Sequence, residues 1–226
     1  MKLGCVVLAA GQGRRFGDNK LLQVLADRTV LGHVLSALPR ERFERIVVVS
    51  SSQGVEALCK EQGLTCLRYP GGPQSESIRR GIGAMEGLDG CLFVMGDQPL
   101  CTRKSMERIA DAFLAHPKAV VRLAWGEIPC SPVLFPKRYF PNLQALTGEQ
   151  GGMSALRGLD AEILLVQAEY EAEQERKRLE EEFLMGMQSV SSALSAGYSV
   201  ENAFSEALVE IRKLYGKEAL ITREFA

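Results

Sequence analysis

The densest chemistry in the chain lies in the run Leu8-Ala9-Ala10-Gly11-Gln12-Gly13-Arg14-Arg15-Phe16-Gly17-Asp18-Asn19-Lys20. Its glycines let the backbone turn sharply and present bare N–H groups to an anion. Arg14, Arg15 and Lys20 add positive charge suited to a triphosphate. The glycines follow neither the dinucleotide fingerprint nor the P-loop pattern, since Gly11, Gly13 and Gly17 are spaced G-x-G-x-x-x-G and no Gly-Lys-Ser/Thr follows. A second run, Met95-Gly96-Asp97-Gln98-Pro99-Leu100, sets a carboxylate just past an apolar stretch. Asp97 is there well placed to hold Mg²⁺ against phosphate oxygens, and Pro99 stiffens the loop behind it. A third run, from Gly71 to Gly81, carries Ser75 and Ser77 at the start of a helical pattern. A plain helix start with Ser75 as its cap fits these residues, as does a polar edge turned to a ligand.

The elements that must position these groups alternate in kind. Leu3–Ala10, Arg45–Ser50, Thr65–Tyr69, Cys91–Met95, Ala119–Ala124, Pro132–Phe135 and Glu162–Val166 read as short apolar strands. Helical patterns lie between them, over Thr29–Leu38, Gly54–Gln62, from Ser77 through Met85, and through Met106, Ile109, Ala110 and Phe113. This alternation predicts an α/β domain, with a mostly parallel sheet covered by helices on both faces. Ligands of such sheets sit beyond the carboxyl ends of the strands, where Gly11 and Asp97 both fall. Composition changes near Ala168, so two segments are expected, 1–167 and 168–226. Glu169–Glu182 is charged and helix-favouring. Phe183, Met187, Val190 and Leu194 then repeat at helical spacing, Gly197 breaks the pattern, and Ser199 is placed to cap a second helix from Val200 to about Leu214. The tail therefore reads as a helical hairpin.

Bulk properties exclude several classes. The chain has 226 residues, is 46% hydrophobic and 24% charged, and carries a net charge of -1, which argues against a nucleic-acid surface spread over the molecule. No apolar run approaches the roughly 18–20 residues of a membrane span. The N-terminus lacks the pattern of an export signal, so the cytoplasm is the expected compartment. Six scattered cysteines without a Cys-x-x-Cys pair read as reduced thiols, and only two histidines, His33 and His116, are present. A histidine zinc site or a Ser-His-Asp relay is accordingly disfavoured.

The opening run resembles the first motif of the molybdenum-cofactor nucleotidyltransferases, Rossmann-like enzymes that join a nucleotide to the phosphate of molybdopterin. Gly13 stands where that family usually has a serine. The resemblance implies that Leu8, Ala9, Ala10, Gly11, Gln12, Gly13 and Arg14 bind nucleotide, with Arg15 on the phosphates and Lys20 neutralising the α-phosphate. It implies the metal-binding role for Asp97 in Gly96-Asp97-Gln98-Pro99-Leu100, and places Ser75 and Ser77 beside the base. The Ala10-Gly11 pair matches the cytidylyl branch, so CTP is favoured over GTP. Cys130-Ser131-Pro132-Val133-Leu134-Phe135 and Gly148-Glu149-Gln150-Gly151 resemble the family's Pro-Val-Leu-Phe strand and its Gly-Asp-x-Gly turn near the pterin, with Glu149 for the usual aspartate. The likeness covers about residues 3–167. Past Val166 the family continues into a segment with a second metal-proximal carboxylate, which Gln167-Ala168-Glu169-Tyr170-Glu171 does not match.

The tail resembles something unrelated, the cytoplasmic helical hairpin of type II secretion and tight-adherence pilus platform proteins. That likeness rests on about 50 residues around Leu194-Ser195-Ala196-Gly197-Tyr198-Ser199. The leading expectation is a Mg²⁺-dependent transferase that moves CMP from CTP to a molybdopterin-type phosphate and releases pyrophosphate. Two others stay open. One is an assembly component that self-associates through the C-terminal helices and carries a remnant nucleotide domain. The other is a guanylyl or other-acceptor member of the same family.

Overall fold

The apolar run at the start of the chain forms β1 (Leu3–Leu8), a strand buried along its length except for half-buried Leu8. The computed structural model describes residues 1–11, 19–168 and 170–215, with the backbone alone for 170–182 and 215. A two-stranded hairpin of β2 (Val24–Leu25) and β3 (Arg28–Thr29) leads into α1 (Val30–Ala37). Next come β4 (Arg45–Ser50), α2 (Gln53–Glu61), β5 (Thr65–Arg68), α3 (Gln74–Gly83), β6 (Gly90–Met95) and α4 (Arg103–Ala115). The domain is completed by β7 (Val120–Trp125), β8 (Ile128–Pro136), α5 (Phe140–Gln144) and β9 (Ile163–Gln167). Two long helices follow, α6 (Tyr170–Ser195) and α7 (Val200–Tyr215).

Seven strands form one sheet in the order β5-β4-β1-β6-β8-β7-β9. Pairings β4–β5, β1–β4, β1–β6 and β7–β9 are parallel, while β8 lies antiparallel to both β6 and β7. The expected α/β, Rossmann-like architecture is thus present, with one reversed strand inside the sheet. Because β8 is reversed, β7 runs in the same direction as β6. The ends of β1, β4, β5, β6, β7 and β9 therefore share one rim.

Two cores sandwich the sheet. On one face Leu31, Val34 and Leu35 of α1, Val55 and Cys59 of α2, and Met106, Ile109 and Phe113 of α4 pack on Cys5, Val7, Leu92 and Val94. On the other, Ile78 and Ile82 of α3 and Leu143 of α5 pack on Val6, Val47, Val49 and Phe93. Period-two alternation along each strand divides these side chains between the faces. Gly81 lets α3 lie close to β1, since a Cβ there would stand 2.5 Å from Val6 Cγ1.

The capping role open to Ser75 is not what the structure shows. The N-cap of α3 is Pro73, which makes no side-chain capping bond, and Ser75 is fully buried inside the first turn. The turn at 147–151 caps the helix instead: Gln74 N donates to Glu149 Oε2 at 3.4 Å and Ser75 N to the Gly148 carbonyl at 3.3 Å. A neighbouring turn thus satisfies the free N–H groups that a cap serine would otherwise bond. β8 also begins at Ile128, earlier than the strand predicted from Pro132, because Gly126 (φ 56°) closes a tight turn that pairs Trp125 with Ile128.

The chain divides into two compact units, Met1–Ala168 and Glu169–Ala226. In the second, α6 is one continuous helix through both the charged and the apolar stretch. Gly197 (φ 89°) takes the left-handed turn after it, with Tyr198 N bonded to the Ala193 carbonyl. Ser199 caps α7 as expected, its Oγ accepting from Asn202 N at 3.3 Å. Val190, Ala203, Ala207 and Ile211 are buried in the hairpin, whereas Phe183, Met187 and Leu194 are exposed. Small residues in the seam let the helices approach closely, and the large side chains of the expected stripe stay outside it.

Candidate active site

The end of β1 is tied to its neighbours residue by residue. Ala9 N donates to the Val49 carbonyl at 2.9 Å, and Gly96 N to the Leu8 carbonyl at 2.9 Å. Gly96 has no room for a side chain, since a Cβ would sit 3.1 Å from that carbonyl oxygen and 3.3 Å from Ala9 Cβ. Ser50, fully buried at the end of β4, donates its hydroxyl to the Ala9 carbonyl at 2.8 Å and accepts from Ser52 N at 3.1 Å. Its own carbonyl accepts from Tyr69 N at 3.1 Å. Ser50 thus fixes the ends of β1 and β5 together, holding the backbone from which the glycine loop departs. Gln12, Gly13, Arg14 and Arg15, expected in that loop, lie outside the described residues; Gly11 is the last one before it and is exposed.

Beyond the loop, Asn19 Oδ1 accepts from Leu21 N at 3.2 Å and starts a one-turn 3₁₀ helix, Lys20–Leu22. Leu21 is 2% exposed and pins this turn to the core. Lys20, fixed by the turn, places its Nζ 2.6 Å from Asp97 Oδ2. Residues 77 apart in sequence and expected to serve the same phosphate thus meet beyond the strand ends. Both side chains keep more than a third of their surface exposed, 40% for Lys20 and 36% for Asp97, so each remains open to a ligand.

A cavity of about 360 Å³ opens on the α3 side of the same rim. Leu8, Ala10, Gly11 and Met95 form its sheet-side wall, and Tyr69, Gly72, Gln74, Ser77 and Glu149 line the rest. Of the two predicted serines, Ser77 lines it, with its hydroxyl donated to the Gln74 carbonyl at 2.8 Å. Ser75 is not among the lining residues, and its buried Oγ has no hydrogen-bond partner among the described residues. Tyr69 is 4% exposed, its hydroxyl is likewise unpartnered, and Arg80 stacks over its ring at 5.0 Å. Glu76 holds the neighbouring cations. A hydrogen bond from Arg79, aided by the charges of Arg79 and Arg80, keeps its carboxyl below the ordinary carboxylate range.

Ser50, Tyr69, Gln74 and Met95 join the site without a sequence motif that marks them. Ser50 ends an apolar strand beside a glycine loop, and that position was the signal available for it. Tyr69, Gln74 and Met95 become neighbours only through the strand order, which no local pattern encodes. His33, one of the two histidines, lies within hydrogen-bond distance of the Leu25 carbonyl, its Nε2 at 2.7 Å, and so ties the β2–β3 hairpin to α1.

Among the described residues no group of three or more His, Cys, Asp or Glu side chains gathers around a metal position. The partly exposed Asp97 carboxylate stands where the resemblance expects a Mg²⁺ ligand, and that ion keeps much of its water and needs few protein ligands. No helix among the described residues is long and apolar enough to cross a membrane.

Similar proteins are consistent with this architecture. The bifunctional protein GlmU of Francisella tularensis subsp. novicida (strain U112) is 28% identical over 143 aligned positions, which take in 54% of this chain and 30% of that protein. The chain therefore spans under a third of the length of this curated relative. Rv0371c of Mycobacterium tuberculosis H37Rv, solved in complex with manganese, superposes with a TM-score of 0.62 at 20% identity, over 77% of this chain and 97% of that one. A cytidylyltransferase from Leptospira borgpetersenii serovar Hardjo-bovis (strain JB197) gives 0.58 at 20% identity, over 75% and 77%. At such identities the two structures speak for the fold alone. The model of the MobA-like NTP transferase domain matches residues 5–163, most of the first unit. Taken with the glycine loop, the Lys20–Asp97 pair and the shared fold, that match means that this chain belongs to the MobA-like NTP transferase domain family.

Proposed function

We propose that the chain is a nucleotidyltransferase that moves a nucleotidyl group, CMP from CTP, onto a phosphorylated acceptor of the molybdopterin type and releases pyrophosphate. The observation that carries this reading is the Lys20–Asp97 pair, a cation and a carboxylate 2.6 Å apart beyond the ends of β1 and β6, beside a cavity sized for a base. CTP is favoured by the Ala10-Gly11 pair, and the cytidylyltransferase of similar fold agrees with that choice.

In this reading the backbone from Leu8 to Gly13 and the side chains of Arg14 and Arg15 cradle the triphosphate. Lys20 leaves Asp97 to neutralise the α-phosphate, and Asp97 holds a divalent ion. The bound ion supplies charge neutralisation on phosphate oxygens; Mg²⁺ is the ion proposed, and the manganese in the Mycobacterium tuberculosis protein supports divalent-ion use. The acceptor phosphate attacks the α-phosphorus in line with the departing pyrophosphate. Fixed geometry and charge carry the catalysis, with no covalent enzyme intermediate. The base enters the cavity, where Gln74, Ser77 and Glu149 offer polar groups and Tyr69 lines the wall.

Calorimetry with CTP, GTP and ATP in Mg²⁺, combined with a pyrophosphate-release assay, tests the proposal on the wild-type chain and on Asp97→Ala. The expected result is CTP binding in the wild type and a rate about a hundredfold or more lower in the variant. No binding of any nucleotide would overturn the reading. Binding without turnover under all acceptors would favour a remnant domain.

A further inference from the structure

Among the described arginines, three are partly buried: Arg42, Arg79 and Arg122. Arg42 is paired with Asp111 and Arg79 with Glu76. Arg122 has no hydrogen-bond or ion-pair partner among the described residues, and its Nε is fully buried. This Nε–H is a donor withdrawn from water without an acceptor, in a residue that is otherwise only partly buried, and such a donor costs free energy that a bound acceptor would offset.

Its position in the sheet indicates which ligand. Arg122 lies on β7 opposite Val133 of β8, which in turn lies opposite Phe93 of β6. Alternation along β7 puts Arg122 on the face of Val120, the α3 side that also bears Phe93 and Val133. Met95, at the cavity wall, is one same-face step beyond Phe93, about 7 Å along the strand direction, and β7 is two strand spacings, about 10 Å, from β6. β7 runs with β6, so Arg122 approaches the same rim, on the side of Asp97 away from the glycine loop. Cys130, packed against the first core, is close enough for the Arg122 charge to favour its thiolate, although burial raises that thiol on balance.

We infer that Arg122 forms an anion subsite that holds a phosphomonoester group of the acceptor. This inference rests on the nucleotidyl-transfer reading for the identity of the acceptor; the anion subsite itself rests on Arg122 alone. The triphosphate occupies the glycine loop and Lys20, and a second anion needs its own countercharge to come near it. Arg122 supplies a planar fork of donors matched to phosphate oxygens, on the side of the rim left open by the nucleotide. It would bind and orient the acceptor without touching the α-phosphorus.

The test uses the full chain loaded with CTP and Mg²⁺, so that the glycine loop is filled, and titrates inorganic phosphate by calorimetry. The expected result is phosphate binding in the wild type that weakens about tenfold in Arg122→Gln, the loss of one charged hydrogen-bonding group. CTP affinity should stay within about twofold. Equal phosphate affinity in the two proteins, or no second phosphate in the wild type, overturns the subsite. A thermal scan of the unliganded Arg122→Met chain gives a separate readout. A higher Tm than wild type, with loss of the stabilisation that phosphate gives the wild type, is expected for a residue held ready for a ligand. A lower Tm would make Arg122 a structural residue and overturn the proposal. If the wild type binds no CTP, the transferase reading fails by itself. The same phosphate titration without nucleotide, wild type against Arg122→Gln, then still decides the subsite.

Discussion

The thiols of this protein are not chemically alike, and the difference comes from single contacts. Cys5 and Cys91 are fully buried, and burial raises both well above the ordinary thiol range. Cys101, in the segment after Asp97, is pushed up to about 12 by burial. Cys66 goes the other way, because a hydrogen bond from the buried Cys59 thiol stabilises its thiolate, and Arg68 assists. Cys59 is raised in return. A disulfide reagent at neutral pH is therefore expected to react first at Cys66, in a single fast phase absent from Cys66→Ser. Because its pKa is lowered from the ordinary thiol value of 9.0, the fast phase should lose rate at a lower pH than the reaction of an ordinary thiol does. A fast phase that persists in Cys66→Ser would refute the assignment.

Among the elements, α3 bears the tightest geometric demand. Gly81 faces Val6 of the central strand, and Val6 Cγ1 is not the end of a long flexible chain that could move aside. Gly81→Ala should therefore cost about 1–3 kcal/mol, read as a lower urea midpoint at unchanged slope. The same helix carries a pH signature. Arg79 and Arg80 hold the Glu76 carboxyl below its unfolded value, so the unfolded chain takes up this proton first as pH falls. The stabilisation is complete above the ordinary carboxylate value of 4.5 and disappears as pH drops through the lower folded value. In Glu76→Gln the urea midpoint should fall less steeply on the acid side than in the wild type. The value of Gly81 was legible in the sequence as a small residue on an apolar helix, and each strand of the sheet could be read from its run of Val, Leu and Ile. The capping of α3 was not legible, because its partner, the 147–151 turn, lies far along the chain. The reversal of β8 was also hidden, since a buried strand has the same composition in either direction. At the site, Gly11, Lys20 and Asp97 were legible from local chemistry. Ser50, Tyr69 and Gln74 acquire their roles through strand order and close backbone contacts alone.

At the scale of the whole molecule, the two units differ in what they can sustain alone. Met1–Ala168 has a sheet with a core on each face. Among its described residues the helical pair buries a narrow seam, centred on Val190, Ala203 and Ala207, and leaves Phe183, Met187, Leu194 and Phe204 exposed. A pair of helices held by a seam of this kind is marginal in isolation. We therefore expect residues 1–168, expressed alone, to unfold in one cooperative urea transition with the midpoint of the corresponding transition in the full chain. An isolated 169–226 peptide should show weak, temperature-sensitive helicity by circular dichroism. A markedly lower midpoint for 1–168 would mean that the tail is part of its fold.

The Lys20–Asp97 contact also sets a thermodynamic condition on ligand binding. Each group is the other's counter-ion, so a divalent ion arriving at Asp97 competes with an ammonium already in place, and a triphosphate arriving at Lys20 competes with a carboxylate. On the proposed function, either exchange alone leaves one of the two charges without its partner, whereas both together give each charge a new one. Affinity for the nucleotide and for the ion should therefore rise together and by the same factor, as reciprocity requires of any two coupled ligands. Calorimetric titration of CTP with and without Mg²⁺, and of Mg²⁺ with and without CTP, should close this cycle. Lys20→Met should shrink the coupling, because the ion at Asp97 would then have no resident cation to displace.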